Sequence, residues 1–444
     1  MRSTKKFNRN LVFNLYILVI ALLTFIFNFD SGPGQDNNTS RMNYLSGNSD
    51  NFLSGVASIL YGTLPDNVFK WWQYLILIQL IVACVGLRLL FADSVNLVSK
   101  INLVALYFFC YLTINLASAQ SRDGFMISFT LLVFGVLLKY GQNKFAFFSA
   151  YIIYVFTFAF RPWLAVSFFP LLIYIFYSKF KLRALINLVV CTFLVISPYI
   201  LEVTAAKIYK ISPAYPQQTV MIHDLATTFC LSPISETQKL AEKGLMILSK
   251  EKNSITGLCT FYKPNTWGSS LAAVDSDLQP ILSVIQPGDY YQYKKLQAAW
   301  LKTINADLKT YIQNKLYFST QVLIAGESTS INLGSSIKSL TKKVTPASIF
   351  EVLRELFFFP WKIIIGLHLI SPIFLCLLFI VLSKYDILKN NYTEHKVLIL
   401  VLSIWLIATI IGYVSDNGRY TYLPVLLILG NWLRNSNQPL RNTQ

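Results

Sequence analysis

Charged side chains are scarce in this sequence, since Asp, Glu, Lys and Arg make up 13% of its 444 residues. A soluble domain of this size carries about a quarter charged residues. The charge-poor stretches are long and apolar, which is typical of membrane-spanning helices. The signatures of common soluble enzymes are missing as well, because the sequence has no Walker loop, no GxSxG and no HExxH. The composition therefore indicates a membrane protein, and the missing phosphate loop argues against an ATP-driven pump.

Ten apolar segments predict an all-α polytopic membrane protein with about ten transmembrane helices and a large, mainly helical outer loop. The segments cover residues 11–29, 71–91, 101–119, 125–138, 145–160, 163–177, 184–201, 357–382, 397–414 and 420–433. The basic N-terminus followed by an apolar run resembles a signal peptide. No small-residue cleavage site follows it, so we predict an uncleaved first helix.

Basic residues are divided unevenly between the short connections. With the N-terminus inside, sixteen Lys and Arg residues fall in inner segments and five in short outer ones. The positive-inside rule then places both termini in the cytoplasm. We expect the chain to be a multi-pass protein of a bacterial inner membrane. The Lys and Arg residues concentrated in the inner connections account for the formal net charge of +17. We therefore expect membrane lipid as a partner and no nucleic acid.

The predicted spans divide the chain into three parts. Residues 1–201 form an N-terminal membrane domain with a first outer loop at 30–70, residues 202–355 form a large extracytoplasmic loop domain, and residues 356–444 form a C-terminal membrane domain. In the first loop, residues 52–61 are apolar at helical spacing but too short to span, which predicts an interfacial or re-entrant helix. In the long loop we predict helices over 219–229, 235–249 and 289–318, the last being the longest.

Only two of the six cysteines, Cys230 and Cys259, lie outside the predicted spans. In an oxidising compartment they either pair or remain thiols, and a bond would stabilise the loop by about 3 kcal/mol on the chain-entropy estimate. No CxxC or Cys/His spacing indicates zinc. The sequence predicts no certain cofactor and leaves a divalent metal open.

Ionisable residues are grouped in the predicted outer connections. The acids and arginines concerned, with one histidine, are Asp36, Asp50, Arg122, Asp123, Arg161, His223, Asp224 and Arg419. Charged groups beside hydrocarbon are costly and tend to be functional. Two purely structural explanations for these residues stay open. One is an ion pair between Arg122 and Asp123, and the other is the ordinary polarity of loops between spans.

These residue types suit transfer of a sugar from a lipid-linked phosphate donor. An acid can accept the proton of an acceptor hydroxyl, and arginines can bind a phosphate leaving group bidentately. The prediction has two catalytic acids (Asp36 first, Asp123 second), three lipid-phosphate ligands (Arg122, Arg161, Arg419) and three donor- or acceptor-site candidates (Asp50, His223, Asp224). The expected co-substrate is a polyprenyl-phosphate sugar.

The order of these features resembles the GT-C class of integral-membrane glycosyltransferases, in particular bacterial relatives of the protein O-mannosyltransferase and aminoarabinose-transferase group. Residues 32–36 (GPGQD) with 44–50 (YLSGNSD) are similar to the acidic first outer loop of that class, and Arg122-Asp123 resembles its second acidic position. Residues 221–226 (MIHDLA) and 418–420 (GRY) are similar to segments of uncharacterised bacterial relatives. The resemblance implies a glycosyltransferase that acts on a cell-envelope glycan, lipid or protein at the outer face.

The sequence departs from that class in two places. Many relatives have a Trp-His-Pro-Pro-like stretch where this chain has Asn51-Phe52-Leu53, which predicts a different acceptor or a loss of activity. The large soluble part also falls between spans seven and eight rather than at the C-terminus.

Two other functions remain open. An O-antigen or capsular polysaccharide polymerase also combines ten or more spans, a large outer loop and arginines for pyrophosphate-linked repeat units. A lipid-glycan flippase or transporter would carry charged residues deep in its spans, whereas here the clearest exceptions are Lys362 and His368 in span eight. No inverted repeat is evident in the sequence.

Overall fold

The computed structural model is all-helical over the residues that it describes. These are 2–29, 32, 35–47, 54–91, 95, 100–118, 122–140, 143–161, 165–166, 169–180, 183–212, 215, 217–249, 255, 257–261, 282, 285, 288–325, 349–366, 400 and 404. An isolated bridge joins Ser249 to Leu282. An all-α fold class is confirmed for this part of the chain.

Among the described residues, the helices whose bounds are defined form an N-terminal series, a middle series and one helix that starts at Ile349. The first nine are α1 (Arg2–Asn28), α2 (Gln35–Leu45), α3 (Gly55–Thr63), α4 (Trp71–Phe91), α5 (Lys100–Ala117), α6 (Arg122–Tyr140), α7 (Lys144–Ala159), α8 (Phe169–Phe180) and α9 (Ala184–Ile208). The others are α10 (Gln218–Leu231), α11 (Ser235–Leu245), α12 (Leu258–Phe261), α13 (Tyr290–Ala306), α14 (Leu308–Ala325) and α15 (Ile349–Gly366).

Within the described ranges, three helical segments are long and apolar enough to cross a membrane, namely Arg9–Asn28, Trp71–Phe91 and Ala184–Ile208. Shorter apolar helices cover Leu103–Ala117, Gly124–Leu137 and Lys144–Ala159. The six segments coincide with predicted spans one to five and seven. Predicted spans nine and ten lie outside the described residues apart from two positions, so the count of ten stays a prediction.

The outward sides of α1 and α9 are apolar. Exposed side chains on α1 include Leu15, Leu18 and Leu22, and on α9 they include Val189 and Phe193. A soluble helix would place polar residues at such positions, whereas hydrocarbon requires apolar ones. The surface of the bundle therefore agrees with the hydropathy of its helices.

Helices α4 and α6 pack closely because each presents a glycine to the other. A Cβ built on Gly86 would lie 2.8 Å from the backbone carbon of Leu131, and one built on Gly135 would lie 3.0 Å from the carbonyl oxygen of Gly86. Small residues allow helix backbones to approach in this way in membrane proteins. The contact joins the second and fourth predicted spans.

Several helix ends meet at one end of the bundle. The Gln73 amide at the start of α4 donates to the carbonyl of Phe29, 2.9 Å away, just beyond α1. The Asn28 amide donates to Ser118 Oγ, 3.3 Å away, just beyond α5. Because the short helix α3 also lies there, we call this the α3 end of the bundle.

The middle helices have a core of their own. Buried residues of α10, α11 and α13, among them Leu225, Ala241, Leu245 and Leu296, form a cluster separate from the membrane-helix core. Two of the predicted helices, over 219–229 and 235–249, occur here as α10 and α11. The predicted single helix over 289–318 is wrong, because the structure divides it into α13 and α14 at Asp307.

Asp307 explains the division. Its backbone lies outside the helical region at φ −148° and ψ 67°. Its carboxylate accepts a hydrogen bond from the Thr310 backbone N–H at 3.0 Å. An aspartate in this position satisfies one of the free N–H groups at the start of a new helix. The N-cap of α14 therefore interrupts an apolar pattern that is continuous in the sequence.

Candidate functional site

Helix α3 is the centre of the α3 end of the bundle. Its residues Val56, Ala57 and Tyr61 are buried in a cluster that also contains Trp71 of α4 and Phe160, which follows α7. The helix has nine residues, too few to span a membrane. It corresponds to the interfacial or re-entrant helix that the sequence predicts, although its depth in a membrane stays a prediction.

A buried carboxylate fixes the start of α3. Glu202, near the end of α9, accepts hydrogen bonds from the backbone N–H groups of Gly55 and Val56 and from the hydroxyl of Ser54. The Val56 and Ser54 bonds are 3.0 and 3.1 Å long. Because a helix N-terminus carries free N–H groups and partial positive charge, a carboxylate is a favourable partner there.

Ser54 itself has an unusual backbone. Its φ of 114° lies in a region that residues with a side chain rarely adopt, and its Oγ accepts from the Ala57 N–H. Strained residues of this kind persist where the surrounding structure holds them, often at functional sites. The bond from Ser54 to Glu202 joins residues 148 positions apart and supplies that restraint.

Arg41 fixes the other end of α3. From α2 its guanidinium donates to the carbonyl oxygens of Tyr61 and Leu64 and to the carboxylate of Asp66, 3.2 Å away. It also lies 5.3 Å from the centroid of the Trp71 ring. These bonds satisfy carbonyls left free at a helix C-terminus and attach α2 to α3. Arg41 therefore has a structural role.

The attachment of α2 bears on the first catalytic candidate. Asp36 is the second residue of α2, so its backbone lies in the first turn of a helix held against α3. The side chain of Asp36 is outside the described residues. Asp50 and Arg419 lie outside them altogether.

The second acidic candidate and one arginine are brought to the same place. Phe125, in the first turn of α6, stacks on Phe160 with ring centroids 4.4 Å apart. Arg161 follows Phe160 and is buried. Arg122 and Asp123 begin α6, and their side chains are outside the described residues. The backbone thus gathers the start of α6 and the end of α7 beside α3.

The remaining two candidates lie elsewhere. His223 and Asp224 are both buried in α10, within the middle helices. Lys315 Nζ of α14 lies 2.7 Å from one Asp224 carboxylate oxygen, and the Trp300 indole N–H of α13 donates to the other at 3.0 Å. Asp224 therefore joins three helices through its side chain.

Burial shapes the acid–base properties of this ion pair. Loss of hydration raises the pKa of Asp224, while Lys315 and the Trp300 hydrogen bond oppose that rise. The neighbouring Tyr311 has its pKa raised to about 12 by burial and by the Asp224 charge. Both shifts are those expected of groups in an interior.

Cys230 and Cys259 form a disulfide. It joins the end of α10 to α12 across 29 positions of sequence. Of the two states that the sequence left open, the structure has the bonded one. The bond ties the end of α10 to the segment whose Ile255 and Leu258 are buried in the middle core.

Sequence reasoning missed Glu202 and Ser54 as members of the site. A signal was present for each. Ser54-Gly55 before an apolar run is a typical helix start. A carboxylate near the C-terminal end of a helix is repelled by the partial negative charge of that end, so Glu202 needed a partner. Their pairing could not be read from residues so far apart.

No group of three or more potential metal ligands occurs among the described residues. No protein-family model, no curated protein and no solved structure matches this chain.

Proposed function

We propose that this chain is a membrane glycosyltransferase that moves a sugar from a polyprenyl-phosphate donor to a cell-envelope glycan, lipid or protein. The observation that carries the proposal is the gathering of candidate-bearing helix ends around α3. Asp36 lies on α2, Arg122 and Asp123 begin α6, and Arg161 follows α7. Residues of three different chain segments with the chemistry of sugar transfer thus share one end of the bundle.

The proposed reaction is a single displacement at the anomeric carbon. The acceptor hydroxyl oxygen forms a bond to C1 of the sugar, and the bond from C1 to the donor phosphate oxygen breaks. Asp36 takes the hydroxyl proton, with Asp123 as the second candidate for that role. Polyprenyl phosphate leaves with both bonding electrons, and Arg122, Arg161 and Arg419 neutralise its charge.

Glu202 is a positioning residue in this proposal. Its hydrogen bonds among the described residues hold the start of α3, against which the ends of α7 and α9 pack. Preorganisation of charged groups is a large part of enzyme catalysis. His223 and Asp224 are left out of the proposed centre because both are buried in α10, where Lys315 and Trp300 bind the Asp224 carboxylate.

We further propose that the α3 end faces the outside of a bacterial inner membrane, with both termini in the cytoplasm. The uneven distribution of Lys and Arg between short connections supports this orientation. The disulfide between Cys230 and Cys259 supports it independently, because such bonds persist in oxidising compartments. The partners are then membrane lipid, the polyprenyl-linked donor and an envelope acceptor.

Analysis of lipid-linked and envelope glycans in a deletion strain tests the proposal. A transferase predicts chains of normal length that lack one sugar, restored by the intact gene. A polymerase, the second candidate, predicts single repeat units on the lipid carrier. A flippase, the third, predicts complete units retained on the cytoplasmic side. An unchanged glycan profile would contradict all three.

A further inference from the structure

Helices α13 and α14 carry a surface with charge of one sign. Their five lysines are Lys294, Lys295, Lys302, Lys309 and Lys315, and the acids beside them are the two caps Asp289 and Asp307. The Asp289 carboxylate accepts from the Gln292 backbone N–H as the cap of α13. The Asp307 carboxylate is occupied as the cap of α14, and Lys315 is paired with Asp224 in the interior. The other four lysines are exposed. No carboxylate on these two helices balances them.

Apolar side chains are exposed between the lysines. On α14, Leu308, Ile312 and Leu316 recur every fourth residue and are 54%, 47% and 59% exposed. This spacing places them on one face of the helix. Leu301 and Tyr291 are exposed on α13 as well. The opposite sides of both helices are already used, since they face the middle core.

Tyrosines and lysines are paired at the start of α13. Lys295 Nζ lies 4.3 Å from the centroid of the Tyr291 ring, and Lys294 Nζ lies 5.3 Å from that of Tyr290. Tyrosine rings favour the boundary between lipid headgroups and acyl chains, and lysine stems lie along such surfaces with the ammonium group in water. This combination is typical of helices that lie on a membrane.

The chain holds these helices close to the membrane-helix bundle. Helix α9 ends at Ile208, at the α3 end of the bundle. Beyond it, Ile211 packs closely on Gly55, since a Cβ built on Gly55 would lie 2.8 Å from Ile211 Cδ1. Helix α15 begins at that end too, because Phe350 packs on Phe27 of α1 with ring centroids 5.4 Å apart. A tethered surface meets the nearby bilayer at high effective concentration.

We propose that the exposed face of α13 and α14 docks on the anionic lipid surface of the membrane that holds the bundle. Leu308, Ile312 and Leu316 enter the boundary of the acyl chains, and the four exposed lysines contact lipid phosphates. A second copy of the chain is the less suitable occupant. A symmetric dimer through this face would oppose its lysines to each other without compensating acids.

The test uses spin labels on the full chain in nanodiscs. Labels are placed at Ile312→Cys on the docking face and at Lys239→Cys on the exposed side of α11, with the unsubstituted chain as background. Accessibility to oxygen, which concentrates in lipid, is compared with accessibility to a water-soluble nickel chelate. Nanodiscs contain either phosphatidylglycerol with phosphatidylcholine or phosphatidylcholine alone.

In phosphatidylglycerol the label at Ile312→Cys should favour oxygen, while that at Lys239→Cys should favour the nickel chelate. A variant with Gln at all four exposed lysines (Lys294, Lys295, Lys302 and Lys309) should dock less. For each lysine replaced, the ratio of chains whose α13–α14 face is docked to chains whose face is undocked should fall by about fivefold. Retention of the Cys230–Cys259 disulfide shows that the Gln variant is folded. This readout does not depend on sugar transfer.

Three results would overturn the proposal. The first is equal access of the nickel chelate to both labels in phosphatidylglycerol. The second is protection of Ile312→Cys that is the same in both lipids and unaffected by the Gln replacements. The third is protection found only in nanodiscs that hold two chains, which would assign the face to a second copy.

Discussion

Glu202 is the residue on which the arrangement of the α3 end most depends. Its carboxylate serves two backbone N–H groups and one hydroxyl, none of which has a comparable acceptor nearby in sequence. We predict that Glu202→Ala destabilises the chain by at least about 2 kcal/mol, since buried charge-assisted hydrogen bonds contribute about 1.5–3 kcal/mol each. Thermal unfolding in detergent, followed by a dye that reacts with the buried Cys110 and Cys191 thiols, measures this.

The control for Glu202 is the same truncation at an exposed acid. Glu236→Ala, in the first turn of α11, should leave the unfolding temperature almost unchanged. Equal unfolding temperatures for the Glu202 and Glu236 variants would show that the hydrogen bonds at α3 do not stabilise the bundle.

Asp224 and Lys315 form the second residue-scale test, because each is buried and each is the charge partner of the other. Asp224→Asn and Lys315→Met should each destabilise the middle core by about 3–5 kcal/mol, since one partner is left as an uncompensated charge. The double variant should recover much of that loss. The rate at which dithiothreitol reduces the Cys230–Cys259 bond reports opening of this core. Simple addition of the two single effects would contradict the pairing.

Asp307 shows at the element scale how one side chain redirects a helix. Asp307→Ala should destabilise the junction of α13 and α14 by about 0.5–2 kcal/mol, whereas Asp307→Asn should retain the cap because asparagine is as good an N-cap. Hydrogen exchange of the Thr310 backbone N–H, the donor to the cap, measures the difference. Equal protection in both variants would contradict a capping role.

The same aspartate gives a pH dependence of known sign. Hydrogen bonds from Thr310 are the main cause that lowers the pKa of Asp307 below its usual value of 3.8. The folded state therefore binds a proton less readily than the unfolded state. The stabilisation is complete above pH 3.8 and is lost as the pH falls through the lower folded value. Asp307→Asn should remove that part of the acid sensitivity.

The contact of α4 with α6 is the element-scale test within the bundle. Gly86→Leu should destabilise it by more than about 1–3 kcal/mol, because the added side chain meets the backbone of Leu131 and not a movable side chain. Val85→Leu, at the exposed neighbouring position, is the matched control. Thermal unfolding in detergent separates them, and an unchanged Gly86→Leu variant would contradict the close approach.

Local patterns predicted the elements better than their contacts. Hydropathy alone located α1, α4 and α9, because lipid-facing and core-facing sides of such helices are both apolar. The break at Asp307 was missed since its neighbours keep an apolar period on both sides. The burial of Asp224 could not be predicted from its own segment, because its partners Trp300 and Lys315 lie 76 and more positions away.

At the scale of the whole molecule, the membrane-helix core and the middle core are joined at the α3 end, which has a smaller apolar cluster of its own. The membrane helices form one core and the middle helices form the other. Glu202 and Ile211 lie where α9 leaves the first core, and both contact the start of α3. A displacement of the middle helices would therefore act first on α3.

The transfer reaction itself tests the central claim. The purified full chain in nanodiscs is given polyprenyl-phosphate sugars labelled in the sugar, with envelope membranes of a deletion strain as acceptor. Label should move to the acceptor with the unsubstituted chain and with Glu236→Gln, which makes the same chemical change at an exposed site. Asp36→Asn should reduce the rate by about 10²–10⁴-fold, the usual contribution of a general base. Transfer at an unchanged rate by Asp36→Asn would contradict the assignment of the base, and absence of transfer by the unsubstituted chain from every donor would contradict the proposed function.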